Sequence, residues 1–140
     1  MKKYRLLKLL GLALATMVTL VAISVIEVTI YSYFIKPGQQ QAFYDEHANL
    51  SAPWISGIFG FIVFFSVVRH WCRKKYDDLL QLAVLFVLTY IVLDIIILFA
   101  FQVNWNEIYP IFLIANGAKL MGALTAYFFY KPVGNEPAKQ

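Results

Sequence analysis

The sequence has little of what a soluble protein of its size needs. Only 14% of its 140 residues are charged, whereas a soluble domain carries about a quarter. Hydrophobic residues make up 61% of the chain, and a small domain leaves too much surface exposed to hide them in one core. The composition therefore excludes an ordinary soluble domain and indicates a protein that lies in a lipid bilayer.

Cysteine and histidine are also scarce. The single cysteine, Cys72, excludes an intrachain disulfide and a multi-cysteine metal cluster. His47 follows Asp45 and Glu46, but three adjacent side chains cannot converge on one ion, so we predict a solvated loop there and no metal or cofactor. The sequence contains no nucleophile elbow, paired-histidine zinc motif or glycine-rich phosphate loop. We therefore predict that the protein is not an enzyme.

Long polar segments are missing as well, because four apolar runs occupy most of the chain. A helix needs about 20 residues to cross the hydrocarbon core of a bilayer. The runs predict transmembrane helices over about 9–35, 52–71, 79–101 and 108–130, with residues 36–51 as the longest connection. The first run is too long for a cleaved signal peptide. We predict one membrane domain over 1–140, an all-α up-down bundle of four transmembrane helices.

Positive charges gather on one side of this predicted bundle. The N-terminus, the second connection and the C-terminal tail hold ten lysines and arginines, and the other connections hold only Lys36. The positive-inside rule then predicts a multi-pass protein of the inner or plasma membrane with both termini in the cytoplasm. The net charge of +4 is explained by this topology. It favours contact with anionic lipid headgroups on the cytoplasmic side, and we predict no nucleic-acid partner.

Three ionisable residues lie inside the predicted helices: Glu27, Asp94 and Lys119. Charged side chains are costly in a bilayer, so each one calls for an explanation. At 1.5 Å per residue, all three lie about 10–16 Å from the outer ends of their helices. The matching depths predict one shared polar cluster. Polar residues on the same helix faces would complete it, namely Ser24, Tyr90 and Asn116.

Two functions are compatible with this predicted cluster. In the first, Asp94 and Lys119 form an intramembrane salt bridge that holds the bundle together, and the protein is an accessory, assembly or interaction subunit. In the second, the site at Glu27, Asp94 and Lys119 binds a proton, a cation or a small polar solute, and the protein is a small carrier or channel subunit. The first is our main prediction from the sequence, and the second is its alternative.

Small residues mark one face of the second and of the fourth predicted helix. Such residues let helix backbones approach closely in a membrane. The predicted packing positions are Ala52, Ser56, Gly60, Ala115, Gly122, Ala123 and Ala126. The same faces could also meet a second molecule, so we expect a homo-oligomer or another membrane protein as partner.

Overall fold

The computed structural model of the chain describes residues 3–74 and 78–130. Within these ranges the chain is helical and forms no strand. The helices are α1 (Lys3–Ile30), α2 (Gln41–Arg73), α3 (Leu79–Ala100) and α4 (Trp105–Tyr130), and a π-helical turn at Tyr31–Ile35 extends α1. All four described helices are long and apolar enough to cross a membrane. The prediction of four candidate membrane spans is therefore confirmed.

The second helix begins well before the start predicted at residue 52. Residues 41–51, which were predicted to form a loop, are the first three turns of α2, and the helix continues through Pro53 without a break. The helix lacks one backbone hydrogen bond at Pro53 but is not interrupted there. Pro53 therefore does not mark the start of α2. The loop prediction for 41–51 is wrong because this segment packs against the end of α1.

A short connection joins α1 to α2. Gly38 takes a φ of 77°, in the left-handed region that favours glycine. The Tyr44 hydroxyl donates a hydrogen bond to the carbonyl of Lys36 at 2.6 Å and accepts one from the N–H of Gln39 at 3.1 Å. Tyr44 therefore anchors the first turn of α2 to the turn before it.

The helices are arranged in a ring whose order differs from their order in the chain. The largest helix–helix interface joins α2 and α4, while α1 packs against α2 and α3, and α3 packs against α1 and α4. The order around the ring is therefore α1, α2, α4, α3. Two pairs of helices that follow each other in the chain, α1–α2 and α3–α4, are also neighbours in the ring. The α2 and α3 helices are not neighbours in the ring, and they meet across its centre through aromatic side chains such as Phe64 and Phe86. The expectation that a tight connection makes consecutive helices pack side by side does not hold for this pair.

The α2 and α4 helices run in the same direction. Ser56 on α2 contacts Lys119 on α4, and further along both helices Cys72 contacts the carbonyl of Ala126. A Cβ atom placed on Gly122 would collide with the backbone carbonyl of Phe61. Close approach of the two backbones thus depends on the absence of a side chain at position 122.

Small residues fill this α2–α4 interface from both sides. Gly57, which the sequence did not single out, is buried beside Ala118. Of the predicted packing residues, Ala52 and Ser56 are half-buried, and the buried ones are Gly60, Ala115, Gly122, Ala123 and Ala126. Much of these faces is therefore covered inside one chain.

The two ends of the bundle differ in charge. The basic end carries the start of α1 and the end of α2, with Lys8, Arg69, Arg73 and Lys74. The distal end carries the connections 36–40 and 101–104. Large apolar side chains remain exposed along the outside of all four helices, as expected where lipid rather than water surrounds them.

Candidate functional site

The three ionisable residues that were predicted to share one cluster occupy two separate places. Glu27 lies near the distal end between α1 and α2, and its carboxylate contacts His47 and Ser51. Asp94 and Lys119 lie between α2, α3 and α4. Counting along the helices gave comparable depths but did not show that α1 and α4 lie across the ring from each other. The single-cluster prediction is therefore wrong for Glu27.

The distal cluster, defined as Glu27, Tyr31, His47 and Ser51, fixes the first turns of α2 to α1. The His47 Nε2 atom lies 2.7 Å from Glu27 Oε1, and the Ser51 hydroxyl donates to Glu27 Oε2 at 3.0 Å. The Tyr31 ring stacks on the imidazole with centroids 3.5 Å apart and planes only 4° from parallel. Each carboxylate oxygen thus has a partner, and the cluster acts as a link between helices.

Sequence reasoning missed the role of His47 in this cluster. The signal that could have found it is the spacing of Phe43, His47 and Ser51, which places all three on one face if residues 41–51 are helical. Ser24, predicted to lie in the shared cluster, is half-buried on α1 one turn before Glu27. No hydrogen bond joins the Ser24 side chain to any of the described polar groups.

Lys119 is almost completely buried, with 1% of its surface exposed. Its ammonium group donates to the Ser56 hydroxyl at 2.9 Å and to the Ala115 carbonyl at 3.4 Å, and it lies 4.9 Å from the centre of the Tyr90 ring. These contacts replace part of the hydration that the lysine loses on burial.

Gly60 provides the space for the Lys119 side chain. A Cβ atom at position 60 would lie 2.8 Å from Lys119 Cγ and 3.0 Å from Cε. The lysine therefore fits into a notch in α2 that only glycine leaves open. The sequence indicated Gly60 as a packing residue, but a partner for it could not be named without the ring order.

Asp94 makes its direct contact with Asn116 rather than with Lys119. The Asn116 side-chain amide donates to Asp94 at 3.1 Å and to the Phe112 carbonyl at 3.1 Å. Between these described side chains no nitrogen–oxygen contact within 4.0 Å joins Lys119 to Asp94, so the predicted direct salt bridge is not formed. Asp94 acts on Lys119 only through space, by Coulomb attraction.

One buried acceptor beside Asp94 has no partner. Asn116 is 5% exposed, and its Oδ1 atom is buried without a hydrogen bond. A buried acceptor without a donor costs about 1–3 kcal/mol. The hydrogen-bonding capacity of Asn116 is therefore only partly satisfied, by Asp94 and the Phe112 carbonyl.

Asp94 faces a cleft of about 540 Å³ between α2, α3 and α4. This polar cleft extends from Asn49 and Ile108 near the distal end to Ser56 and Ala115, deeper in the bundle. Asp94 is the one charged side chain among its described lining residues. Ser56 joins the cleft to Lys119, because it lines the cleft and also accepts the lysine's hydrogen bond. The volume lies in the range of about 300–1,000 Å³ that small-molecule sites occupy.

The described residues do not bring together three or more histidine, cysteine, aspartate or glutamate side chains that could hold a metal ion. Comparisons with protein-family models, with curated proteins and with solved structures find no match to this chain.

Proposed function

We propose that this protein is a small carrier or channel subunit that binds a cationic or hydrogen-bond-donating solute in the polar cleft. The observation that carries the proposal is Asp94, a carboxylate inside a candidate membrane span that faces an open cleft rather than a neighbouring cation. Intramembrane carboxylates in such positions mark ion and proton pathways.

The proposed orientation places the basic end in the cytoplasm and the distal end outside the cell membrane, so both termini are cytoplasmic. The support for it is the charge asymmetry, since ten lysines and arginines fall in the N-terminus, second connection and tail. In this orientation the polar cleft opens towards the outside. Asp94 then lies about 10 Å from the external end of α3, roughly a third of the way across the hydrocarbon core.

The polar atoms of the cleft favour a solute that donates hydrogen bonds. Asp94 offers a carboxylate to the cleft, and Asn49 and Ser56 are the other polar residues among its described lining residues. The positive charge of Lys119, whose ammonium group donates a hydrogen bond to Ser56, attracts the Asp94 carboxylate when the cleft is empty. A bound cation must share Asp94 with this fixed charge, which limits its affinity. Moderate affinity is what a transport site requires, because the solute has to leave as well as enter.

Flux into liposomes tests the proposal. The purified protein is reconstituted, and uptake of methylammonium and of K⁺ is measured for the wild type and for Asp94→Asn. We expect flux of one probe to fall at least about tenfold in the variant, the change that loss of about 1.4 kcal/mol of binding energy produces.

A matched control is Asp45→Asn, the same chemical change at an exposed position of α2 outside the cleft. This variant should keep wild-type flux. Folded wild-type protein that carries neither probe under any gradient would contradict the proposal, and so would equal flux in both variants.

A second candidate function is an accessory or assembly subunit for a homo-oligomer or another membrane protein, with the buried polar groups serving only to hold the bundle. One observation favours it: Lys119 finds its partners within the protein and fills the notch at Gly60. In that case Asp94→Asn should change stability or co-purification with a partner, and no variant should show flux.

A further inference from the structure

A second cavity lies at the basic end, on the side of the bundle opposite the polar cleft. This basic-end groove has a volume of about 490 Å³ and is formed by α1, the end of α2 and the start of α3. Its walls are almost entirely apolar, and Lys8 is the one charged residue among its described lining residues, which are Lys8, Leu9, Gly11, Leu12, Ala15, Trp71 and Leu82.

The groove is open because α1 has a glycine without a side chain, Gly11, in the wall that it contributes. A Cβ atom placed on Gly11 would meet no heavy atom within 4 Å, whereas one on Gly122 would strike the neighbouring helix. Gly11 therefore does not serve close helix packing. The opposite wall is fixed, since the Trp71 indole packs edge-on against Phe86 with centroids 5.6 Å apart.

The surroundings of the groove point to a lipid. The groove is open and its walls are mainly apolar, and the acyl chains of the bilayer are the apolar groups available to a membrane span. Lys8 lies at the mouth, and Arg73 and Lys74 are exposed just beyond Trp71 on the same end of α2. Cationic side chains next to a membrane span attract anionic lipid headgroups, and tryptophan favours the same depth.

We propose that the basic-end groove binds an anionic phospholipid, with one acyl chain between Gly11 and Trp71 and the phosphate beside Lys8. The site is independent of the polar cleft. It holds a structural lipid at the α1–α3 side of the bundle, where the helices leave a gap that no described side chain fills.

Native mass spectrometry of the detergent-purified protein tests this site with two lipids that share their acyl chains, dioleoyl phosphatidylglycerol and dioleoyl phosphatidylcholine. The wild type should retain one phosphatidylglycerol with about tenfold preference, which corresponds to about 1.4 kcal/mol. Gly11→Leu fills the groove and should abolish retention of this lipid. Lys8→Gln should keep the acyl chain but lose the preference for phosphatidylglycerol.

Gly117→Leu is the matched control, because a Cβ atom added to Gly117 on α4 would also meet no heavy atom within 4 Å, and this glycine lies outside the groove. It should bind lipid as the wild type does. Leucine has a higher helix propensity than glycine, so neither variant weakens its helix. Ala15→Leu provides a second way to fill the groove if Gly11→Leu does not fold. Wild-type retention in folded groove-filled variants, or equal retention of both lipids by the wild type, would overturn the proposal.

Discussion

Lys119 and Gly60 form a pair in which one residue supplies the side chain and the other the space for it. A methyl group at position 60 would push the lysine stem away from Ser56. We expect Gly60→Ala to lower the free energy of unfolding by about 1–3 kcal/mol, as overpacking does. In a Lys119→Ala background the same change should cost little, because the clash is gone.

Unfolding in mixed detergent micelles, measured for the four members of this double-mutant cycle, gives the coupling energy. Gly117→Ala serves as the control, since its Cβ meets open space. Additive effects of the Gly60 and Lys119 changes would contradict the proposed fit.

Asp94 should tolerate loss of its charge. Its direct partner is the Asn116 amide, and an asparagine at position 94 can accept the same hydrogen bond. Asp94→Asn should therefore lower the free energy of unfolding by only about 1–2 kcal/mol, because the bond from Asn116 loses its charged acceptor and Lys119 loses a through-space attraction. Exchange of the two charges (Asp94→Lys with Lys119→Asp) should not restore stability, since the residues do not touch. A thermal unfolding series of these variants checks both expectations, and recovery in the exchanged protein would show direct pairing.

The sequence identified Glu27, Asp94 and Lys119 because a charged residue inside a long apolar run can be recognised without knowing its neighbours. It could not say which of them meet. Counting residues gives the depth of a side chain along its helix. It does not give the neighbouring helix that the side chain faces, which depends on the order of the helices around the ring. That order follows from how the glycines of α2 fit α4, a property of two segments far apart in the chain.

At the scale of the helices, Gly122 controls the α2–α4 interface. Because a Cβ there meets the backbone of Phe61, which cannot rotate away, the helices must separate to admit a side chain. We expect Gly122→Val to lower the free energy of unfolding by about 2–4 kcal/mol, a size typical of core overpacking and strain. Gly117→Val introduces the same residue in open space on the same helix. Detergent unfolding of both should show a large difference, and equal values would exclude close packing at Gly122.

The first turns of α2 depend on the distal cluster. His47→Ala removes the hydrogen bond to Glu27 and the stacking on Tyr31, contacts worth about 1–3 kcal/mol together. Amide hydrogen exchange in residues 41–51 should accelerate about tenfold or more, in line with that loss, while exchange in α3 should not change. His70→Ala, an exposed histidine at the other end of α2, is the control. Unchanged exchange in 41–51 would mean that this segment is stable without the cluster.

The helical state of residues 41–51 could not be predicted from hydropathy, because polar residues and Pro53 interrupt the apolar pattern. Its stability comes from tertiary contacts with α1 at Glu27 and Tyr31. The four long apolar segments, in contrast, were predictable because length and composition alone determine which helices can span a bilayer.

For the whole molecule, the charge asymmetry predicts which regions face the outside. In a Cys72→Ala background, a single cysteine at Gln40 should react in intact cells with a maleimide that cannot cross the membrane. A cysteine at Lys74 should react only after the cells are opened, because the basic end is expected in the cytoplasm. Both positions are exposed, so burial does not explain a difference. External labelling at position 74 would reverse the proposed orientation.

The parallel pairing of α2 with α4 also has a consequence for biosynthesis. The ribosome makes about 5–20 residues per second, so α2 is synthesised several seconds before its main partner is complete. During that time the Gly57–Gly60 face of α2 lacks the helix that covers it in the folded protein, where Ala118 and Lys119 of α4 lie against it. A nascent chain that stops after α3 is therefore an incomplete bundle. An α4 segment synthesised separately in the same cell should be able to complete it.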